Sequence, residues 1–378
     1  MLRSYKFRLY PNKEVEKKLE EDLEICRWLY NRLLEEINNA REECRKITQK
    51  DTQSLIVRLK EENPELNKVY SKVLQMVNYQ LWSNMKALSK LKKNGKKIGK
   101  LRYKKKGRFK TLNFNQSGFS IDEKHNCISL SKIGNIKAKI HREIDGKIKG
   151  VFVKKYPSGR WYAMVQAEIE PEELPKTGRE IGIDVGIKHF LTDSDGRQVE
   201  NPKFYGKTLD RIERLHKNLS RKKKGSNNWI KAKIKLAKAY EKLNNQHNDF
   251  LHKLSRYYVN NYDFIAVENL NIRNMVRNHR LAQRIQDASW GEFIKMLTYK
   301  AEGAGRLVKA VNPRGTSEGL SFDDPYRDYI SANRILIRGR NYPDTPVERR
   351  PLLLVTVKSV IEGQVFSMKQ EAPCVSEG

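Results

Sequence analysis

Apolar and basic residues alternate through Tyr5-Lys6-Phe7-Arg8-Leu9-Tyr10, the period of a half-buried strand, and Pro11-Asn12 ends the run. A lone strand is not stable. Its partners are predicted in the alternating segments at about 112–121, 126–140 and 148–169, the last folded back by the turn signal Pro157-Ser158-Gly159. Between these halves the spacing becomes helical. Leu19, Leu23, Cys26, Leu29, Tyr30 and Leu33 share one face, and Val69, Val73, Met76, Val77 and Trp82 form a second run. The pattern predicts a β-domain over 1–12 and 111–175, split by a helical insertion over 13–110. From about residue 178, short apolar strands alternate with long helices, an α/β pattern assigned to 176–340. Within it, Ile212, Leu215 and Leu219, then Ile230, Ile234, Ala237 and Leu243, mark a helical hairpin with a narrow seam and a broad basic face. The stretch 341–378 shows little periodicity and is expected to be a poorly ordered tail. The fold class is therefore α+β, in several domains.

Composition narrows the function. Among 378 residues, 76 Lys and Arg stand against 45 Asp and Glu, a net charge of +31, and such a chain gains by sitting beside phosphates. Nucleic acid is the leading partner, ahead of an anionic membrane; a ribosomal-type RNA binder or a generic basic surface is the bland reading. Apolar residues make up 38% and cluster in periodic runs, which excludes a wholly disordered chain. The opening residues contain no apolar signal region and no later stretch approaches a membrane span, so no membrane partner and a cytoplasmic location are expected. Cys26, Cys44, Cys127 and Cys374 form no C-x-x-C pair, so their spacing supports neither a disulfide framework nor structural zinc. Residues 92–110 contain no acid and interleave Tyr103 and Phe109 with Lys104, Lys105, Lys106, Arg108 and Lys110; they read equally as a solvated loop or as a backbone-tracking surface. The hairpin turn supplies Arg221, Lys222, Lys223 and Lys224 as further nucleic-acid contacts.

Three carboxylates stand out by position. In Ile181-Gly182-Ile183-Asp184-Val185-Gly186, alternation puts Asp184 on the face opposite the branched residues, beside two glycines that leave room for a phosphate backbone. Glu268 ends the apolar run Phe264-Ile265-Ala266-Val267, at the carboxyl end of a strand buried on both faces, where open α/β sheets bind ligands. Asp328 begins a helical stripe continued by Ala332 and Ile335; Asp323 and Asp324 precede Pro325 and fall outside the periodic segment. Each has an ordinary alternative, as a turn, cap or lysine partner. Oxygen ligands converging from two strands and a helix start suit Mg²⁺ or Mn²⁺, and the reaction that follows is phosphodiester hydrolysis.

At this point the chain resembles the TnpB (OrfB) proteins of bacterial and archaeal insertion sequences, relatives of type V CRISPR effector nucleases. The resemblance rests on Tyr5-Lys6-Phe7-Arg8-Leu9-Tyr10-Pro11, Arg27-Trp28-Leu29-Tyr30-Asn31, Ile181-Gly182-Ile183-Asp184-Val185-Gly186-Ile187-Lys188, Ala266-Val267-Glu268-Asn269-Leu270, Ser289-Trp290-Gly291-Glu292-Phe293 and Val311-Asn312-Pro313-Arg314-Gly315-Thr316-Ser317. It implies a wedge-type β-barrel split by a helical recognition lobe, then a RuvC-like nuclease domain of RNase H fold. It also implies RNA-guided cleavage of double-stranded DNA beside a short motif, with a guide RNA from the transposon end. Asp184, Glu268 and Asp328 match the family's Asp-Glu-Asp positions, and Arg314 joins the nucleic-acid contacts. Two departures are visible. Only residues 318–327 occupy the interval where relatives commonly carry a zinc ribbon, and Tyr326 and Ile330 replace the Asp and Asn that usually flank the third aspartate. The leading expectation is an RNA-guided endonuclease, and the alternative is a non-cleaving DNA- or RNA-binding regulator of its transposon. A strand-joining transposase has no nucleophilic Tyr motif behind it.

Overall fold

The computed structural model describes residues 1–341 and 351–362 and divides into two compact units, Met1–Glu170 and Pro171–Gly378. In the first unit, β1 (Leu2–Tyr10) is followed by α1 (Lys13–Glu42), α2 (Gln49–Glu62), a short tight turn at Pro64–Lys68 and α3 (Ser71–Lys93). Six strands then follow: β2 (Thr111–Asn115), β3 (Phe119–Asp122), β4 (Cys127–Leu130), β5 (Gly134–Lys139), β6 (Lys147–Lys155) and β7 (Trp161–Glu168). They join β1 in an antiparallel sheet of order β2-β6-β7-β1-β5-β4-β3. β1 thus lies between β7 and β5, more than a hundred residues later in the chain, which is what a split β-domain requires. Its alternation is realised, with Tyr5, Phe7 and Leu9 buried.

α1 starts because the Asn12 side chain accepts from the Val15 N–H at 2.8 Å, and α2 because Thr48 and Asp51 form a reciprocal capping box. The predicted stripe from Leu19 to Leu33 is buried throughout. Each fully buried side chain of this kind contributes about 1.5–3 kcal/mol. α2 and α3 are tied by a polar knot, in which Thr52 donates to Asn78 at 2.9 Å and receives the Trp82 indole N–H at 2.8 Å.

The second unit contains β8 (Glu180–Val185), β9 (His189–Asp193), β10 (Arg197–Glu200), α4 (Phe204–Ser220), α5 (Asn227–Asn261) and β11 (Phe264–Glu268). It continues with α6 (Ile272–Met275), α7 (His279–Ala288), α8 (Trp290–Glu302), β12 (Leu307–Val311), α9 (Arg327–Gly339), β13 (Leu353–Val355) and α10 (Val357–Glu362). The sheet order is β12-β11-β8-β9-β10-β13. β8, β11 and β12 run parallel, β9 is antiparallel to both neighbours, and β13 pairs parallel with β10. Ile181, Ile183 and Phe190 join a core with Phe250 and Leu254 of α5 and Phe293 and Leu297 of α8. α9 packs directly on the sheet. A Cβ on Gly182 would meet the Ala332 carbonyl oxygen at 2.0 Å, and one on Gly339 would meet the Ala266 Cβ at 2.7 Å.

Three expectations change here. Gly182 does not leave open room for a phosphate, because α9 fills that space; alternation reveals a face, not what covers it. The hairpin exists as α4 and α5, but of the positions expected on α5 only Leu243 is buried; Ile234 and Ala237 are half-buried, Ile230, in the first turn, is 44% exposed, and Ala232 and Leu236 are buried in their place. Residues 351–362, expected in a poorly ordered tail, instead form β13 and α10, with Val355 and Val360 buried. The remainder of that tail, 342–350 and 363–378, lies outside the described residues.

Candidate active site

Three elements of the second unit carry the carboxylates to one place. In the register of β8 and β11, Ile183 lies opposite Val267, so Asp184 and Glu268 are the next residues on from the same pair, at the carboxyl ends of parallel strands. Asp328 occupies the first turn of α9, above Gly186; a Cβ on that glycine would lie 3.9 Å from the Asp328 Oδ2. Asp184, Glu268 and Asp328 line a single cavity of about 1150 Å³, together with Lys188, His189, Lys203, Arg284 and Arg327.

The electrostatics follow from that convergence. Burial, then the neighbouring Glu268, then Asp328, push the Asp184 carboxyl well above the usual carboxylate range, and Arg327 opposes them. Burial also raises Glu268, against the Thr316 hydroxyl, which donates to its Oε1 at 2.6 Å, and against Arg338. Among the described residues no three carboxylate, imidazole or thiol groups come close enough to hold one ion between them. The donor set nonetheless fits a hard divalent cation: anionic oxygens, desolvated and mutually repelling, are stabilised by nothing so well as a positive charge among them. Among the described residues, two of the buried polar atoms without a hydrogen-bond partner lie beside this site. They are the Thr192 hydroxyl, opposite Asp184 in the β8–β9 register, and the indole N–H of Trp290, a cavity-lining residue.

Sequence reasoning missed the fastening of the loop that carries Thr316. Arg338 donates to the carbonyls of Arg314 (2.7 Å) and Gly315 (3.1 Å), and Arg334 donates to those of Thr316 (3.3 Å) and Glu318 (2.7 Å). The only signal was the i, i+4 spacing of two arginines off the apolar stripe of α9. Asp324 proves to be a turn residue, accepting the Tyr326 N–H at 2.9 Å.

The basic residues singled out from the sequence fall into two groups. Lys105, Lys106 and Arg108 are exposed in the loop before β2, Arg221 to Lys224 are exposed between α4 and α5, and Arg314 is exposed after β12. Lys104 differs. Its ammonium sits 4.2 Å over the Tyr30 ring and 4.6 Å over Phe109, its backbone bonds to Asn31, and burial lowers its pKa. Lys110 is half-buried. No described helix is long and apolar enough to cross a membrane.

Comparison with known proteins gives the family to which the chain belongs. An OrfB family model described as a probable transposase matches residues 164–279, and one described as a Cas12f1-like TNB domain matches 290–325, a segment without cysteine or histidine. A model described as a helix-turn-helix domain matches 1–46, where the chain forms a strand and one 30-residue helix. InsQ of Escherichia coli (strain K12), named as a candidate RNA-guided DNA endonuclease, is 30% identical over 342 residues, covering 85% of this chain and 83% of its own. A protein of Streptomyces pristinaespiralis with the same activity in its name is 29% identical, covering 82% and 77%. A Cas12f1 solved in complex with sgRNA and target DNA has a similar fold, with a TM-score of 0.51 at 12% identity over 92% of this chain and 96% of that one. With nearly a third of its residues shared with InsQ over most of both chains, and the OrfB model matching across the Asp184 strand, the chain belongs to the TnpB (OrfB) family, related to type V CRISPR effectors.

Proposed function

We propose that this protein is an RNA-guided, divalent-metal-dependent DNA endonuclease that hydrolyses phosphodiester bonds in a cavity floored by Asp184, Glu268 and Asp328. The convergence of these residues in one cavity carries the reading. On it, the second unit is a RuvC-like nuclease domain of RNase H fold, and the first is a wedge-type β-domain with a helical recognition lobe. Asp184, Glu268 and Asp328 would hold Mg²⁺ or Mn²⁺, which when bound supplies an activated water and charge stabilisation at the leaving oxygen. The chain's own part is positional. Parallel strands fix Asp184 and Glu268, the Thr316 hydroxyl orients Glu268, and α9 sets Asp328 against Gly186. The activity in the names of InsQ and the Streptomyces protein, and the sgRNA and target DNA bound to Cas12f1, support guide RNA and double-stranded DNA as partners. The exposed Lys105, Lys106, Arg108, Arg221, Lys222, Lys223, Lys224 and Arg314 would meet phosphates, and a guide from the transposon end would be held this way.

The test is cleavage of a guide-matched duplex in Mg²⁺ or Mn²⁺, with a binding isotherm for each variant. Asp184→Ala, Glu268→Ala and Asp328→Ala should each abolish turnover, by about a hundredfold or more, and leave affinity almost unchanged. Asp324→Asn keeps the acceptor for the Tyr326 N–H and should still cut. If it fails to cut while Asp328→Ala cuts, the third ligand is misassigned. The binding-only regulator is favoured by Tyr326 and Ile330 beside Asp328. It prevails if the unaltered protein binds but never cuts with either ion.

A further inference from the structure

Residues 318–326 form a chain of turns, ahead of α9, that presents a phenyl ring to solvent. Ser321 accepts the Asp324 N–H through its carbonyl and the Asp323 N–H through its hydroxyl, both at 3.3 Å. Asp324 in turn receives the N–H groups of Tyr326 (2.9 Å) and Arg327 (3.0 Å). Phe322, within these turns, is 84% exposed, more than any other large apolar side chain described. An isolated exposed apolar residue is ordinary. This one lines the cavity that contains Asp184, Glu268 and Asp328, and the Arg327 guanidinium sits 5.2 Å from its ring centroid. The cation can back only one face of the ring. What would cover the other face is narrowed by the neighbours, because Asp323 and Asp324 also line this wall and would repel a phosphate. A flat, uncharged nucleobase meets neither objection. Every base has a π-face, and stacking on an aromatic side chain is a sequence-tolerant way to hold single-stranded nucleic acid.

We propose that Phe322, backed by Arg327, is a stacking platform for one unpaired base of the DNA strand presented to the Asp184, Glu268 and Asp328 carboxylates. The proposal rests on the nuclease reading of that cavity, and it makes Phe322 a positioning residue that grips the strand and takes no part in bond breaking.

The test uses the full chain with its co-purified RNA, in Ca²⁺ buffer, and a short DNA strand of abasic residues carrying a single base, 2-aminopurine, whose fluorescence falls on stacking. The unaltered protein and Phe322→Trp should quench the probe. Phe322→Ala and Phe322→Leu should not, and should bind the oligonucleotide about fivefold or more weakly. On an otherwise identical strand with an abasic site in place of the probe base, all four should bind alike. Quenching by Phe322→Ala equal to that of the unaltered protein, or a loss of affinity that persists on the abasic strand, would overturn the proposal. The two readings fail separately. If Asp184→Ala still cuts while Phe322→Ala loses quenching, the stacking platform stands and the assignment of the carboxylates falls; if Asp184→Ala is dead and Phe322→Ala quenches normally, the reverse holds.

Discussion

Lys300 lies on α8 with its ammonium turned inward, donating to the His252 carbonyl at 2.6 Å and the Ser255 hydroxyl at 2.7 Å, with no carboxylate among those acceptors. Burial, and then the nearby Arg256, lower its pKa from the ordinary lysine value to about 7. The unfolded chain therefore binds a proton that the folded chain gives up between that pKa and the ordinary one. Stability must rise with pH through this window, and the cost is fully present at and below its lower end. Lys300→Met removes the titrating group. The stability advantage of the variant over the unaltered protein should shrink by about 2 kcal/mol between about pH 7 and about pH 9. Paired urea melts would show it, and a difference independent of pH would mean that Lys300 stays charged in the fold. Asp193, wholly buried, is the converse case. Burial pushes its pKa up to about 6 even though Arg197 opposes it and the Tyr258 hydroxyl and the N–H groups of Asp195 and Arg197 all donate to it.

Among the elements, α9 decides the most, because it carries Asp328 and because two glycines admit it to the sheet. Gly182→Ala would place a methyl 2.0 Å from the Ala332 carbonyl oxygen, closer than real contacts allow, so the helix must move away from β8. A cost of about 2–3 kcal/mol or more is expected, with cleavage falling further than stability alone explains, since Asp328 moves with the helix. Gly99→Ala, where nothing lies within 4 Å, is the control and should change neither the thermal midpoint nor the rate. Unchanged melting and cleavage in Gly182→Ala would mean that α9 is not seated as described. The same helix shows how far the sequence could be read. Period alone put Asp328 at the head of the stripe through Ala332 and Ile335, and both prove fully buried. Period likewise put Asp184 opposite Ile181 and Ile183, and Glu268 at a strand end. It could not show that α9 would occupy the space above Gly182, because that partner is about 150 residues away in the chain. Nor could it find β13, where Leu353-Leu354-Val355 is too short to display a period and is ordered by pairing with β10. Thr316 and the loop carbonyls that the arginines fasten were hidden for the same reason: the i, i+4 spacing of Arg334 and Arg338 marks a shared face of α9, but the bonds made from that face are tertiary.

For the whole molecule, a net charge of +31 makes affinity for nucleic acid a property of many surfaces, yet the side chains that supply it are not interchangeable. Lys105, Lys106 and Arg108 extend into solvent next to Lys104, whose ammonium is held over Tyr30 and Phe109 and loses affinity for its proton through burial. A charge contributes to the salt slope only when it displaces counterions from a phosphate, and a cation already seated on two rings is poorly placed for that. The combined change Lys105→Ala, Lys106→Ala, Arg108→Ala should therefore shallow the slope of log K against log salt by about 0.9 for each true duplex contact and leave the melting temperature nearly unchanged. Lys104→Ala should do the opposite, lowering the melting temperature by an amount equivalent to about 1 kcal/mol while the salt slope holds. Binding measured across a salt series, with thermal melts of the same preparations, separates the two effects. If Lys104→Ala shallows the slope as much as its neighbours do, the ammonium leaves its aromatic seat to meet phosphate, and the loop before β2 rearranges on binding; if the triple variant leaves the slope untouched, this loop faces solvent and the charge that binds nucleic acid lies elsewhere, with the exposed run from Arg221 to Lys224 the next place to look.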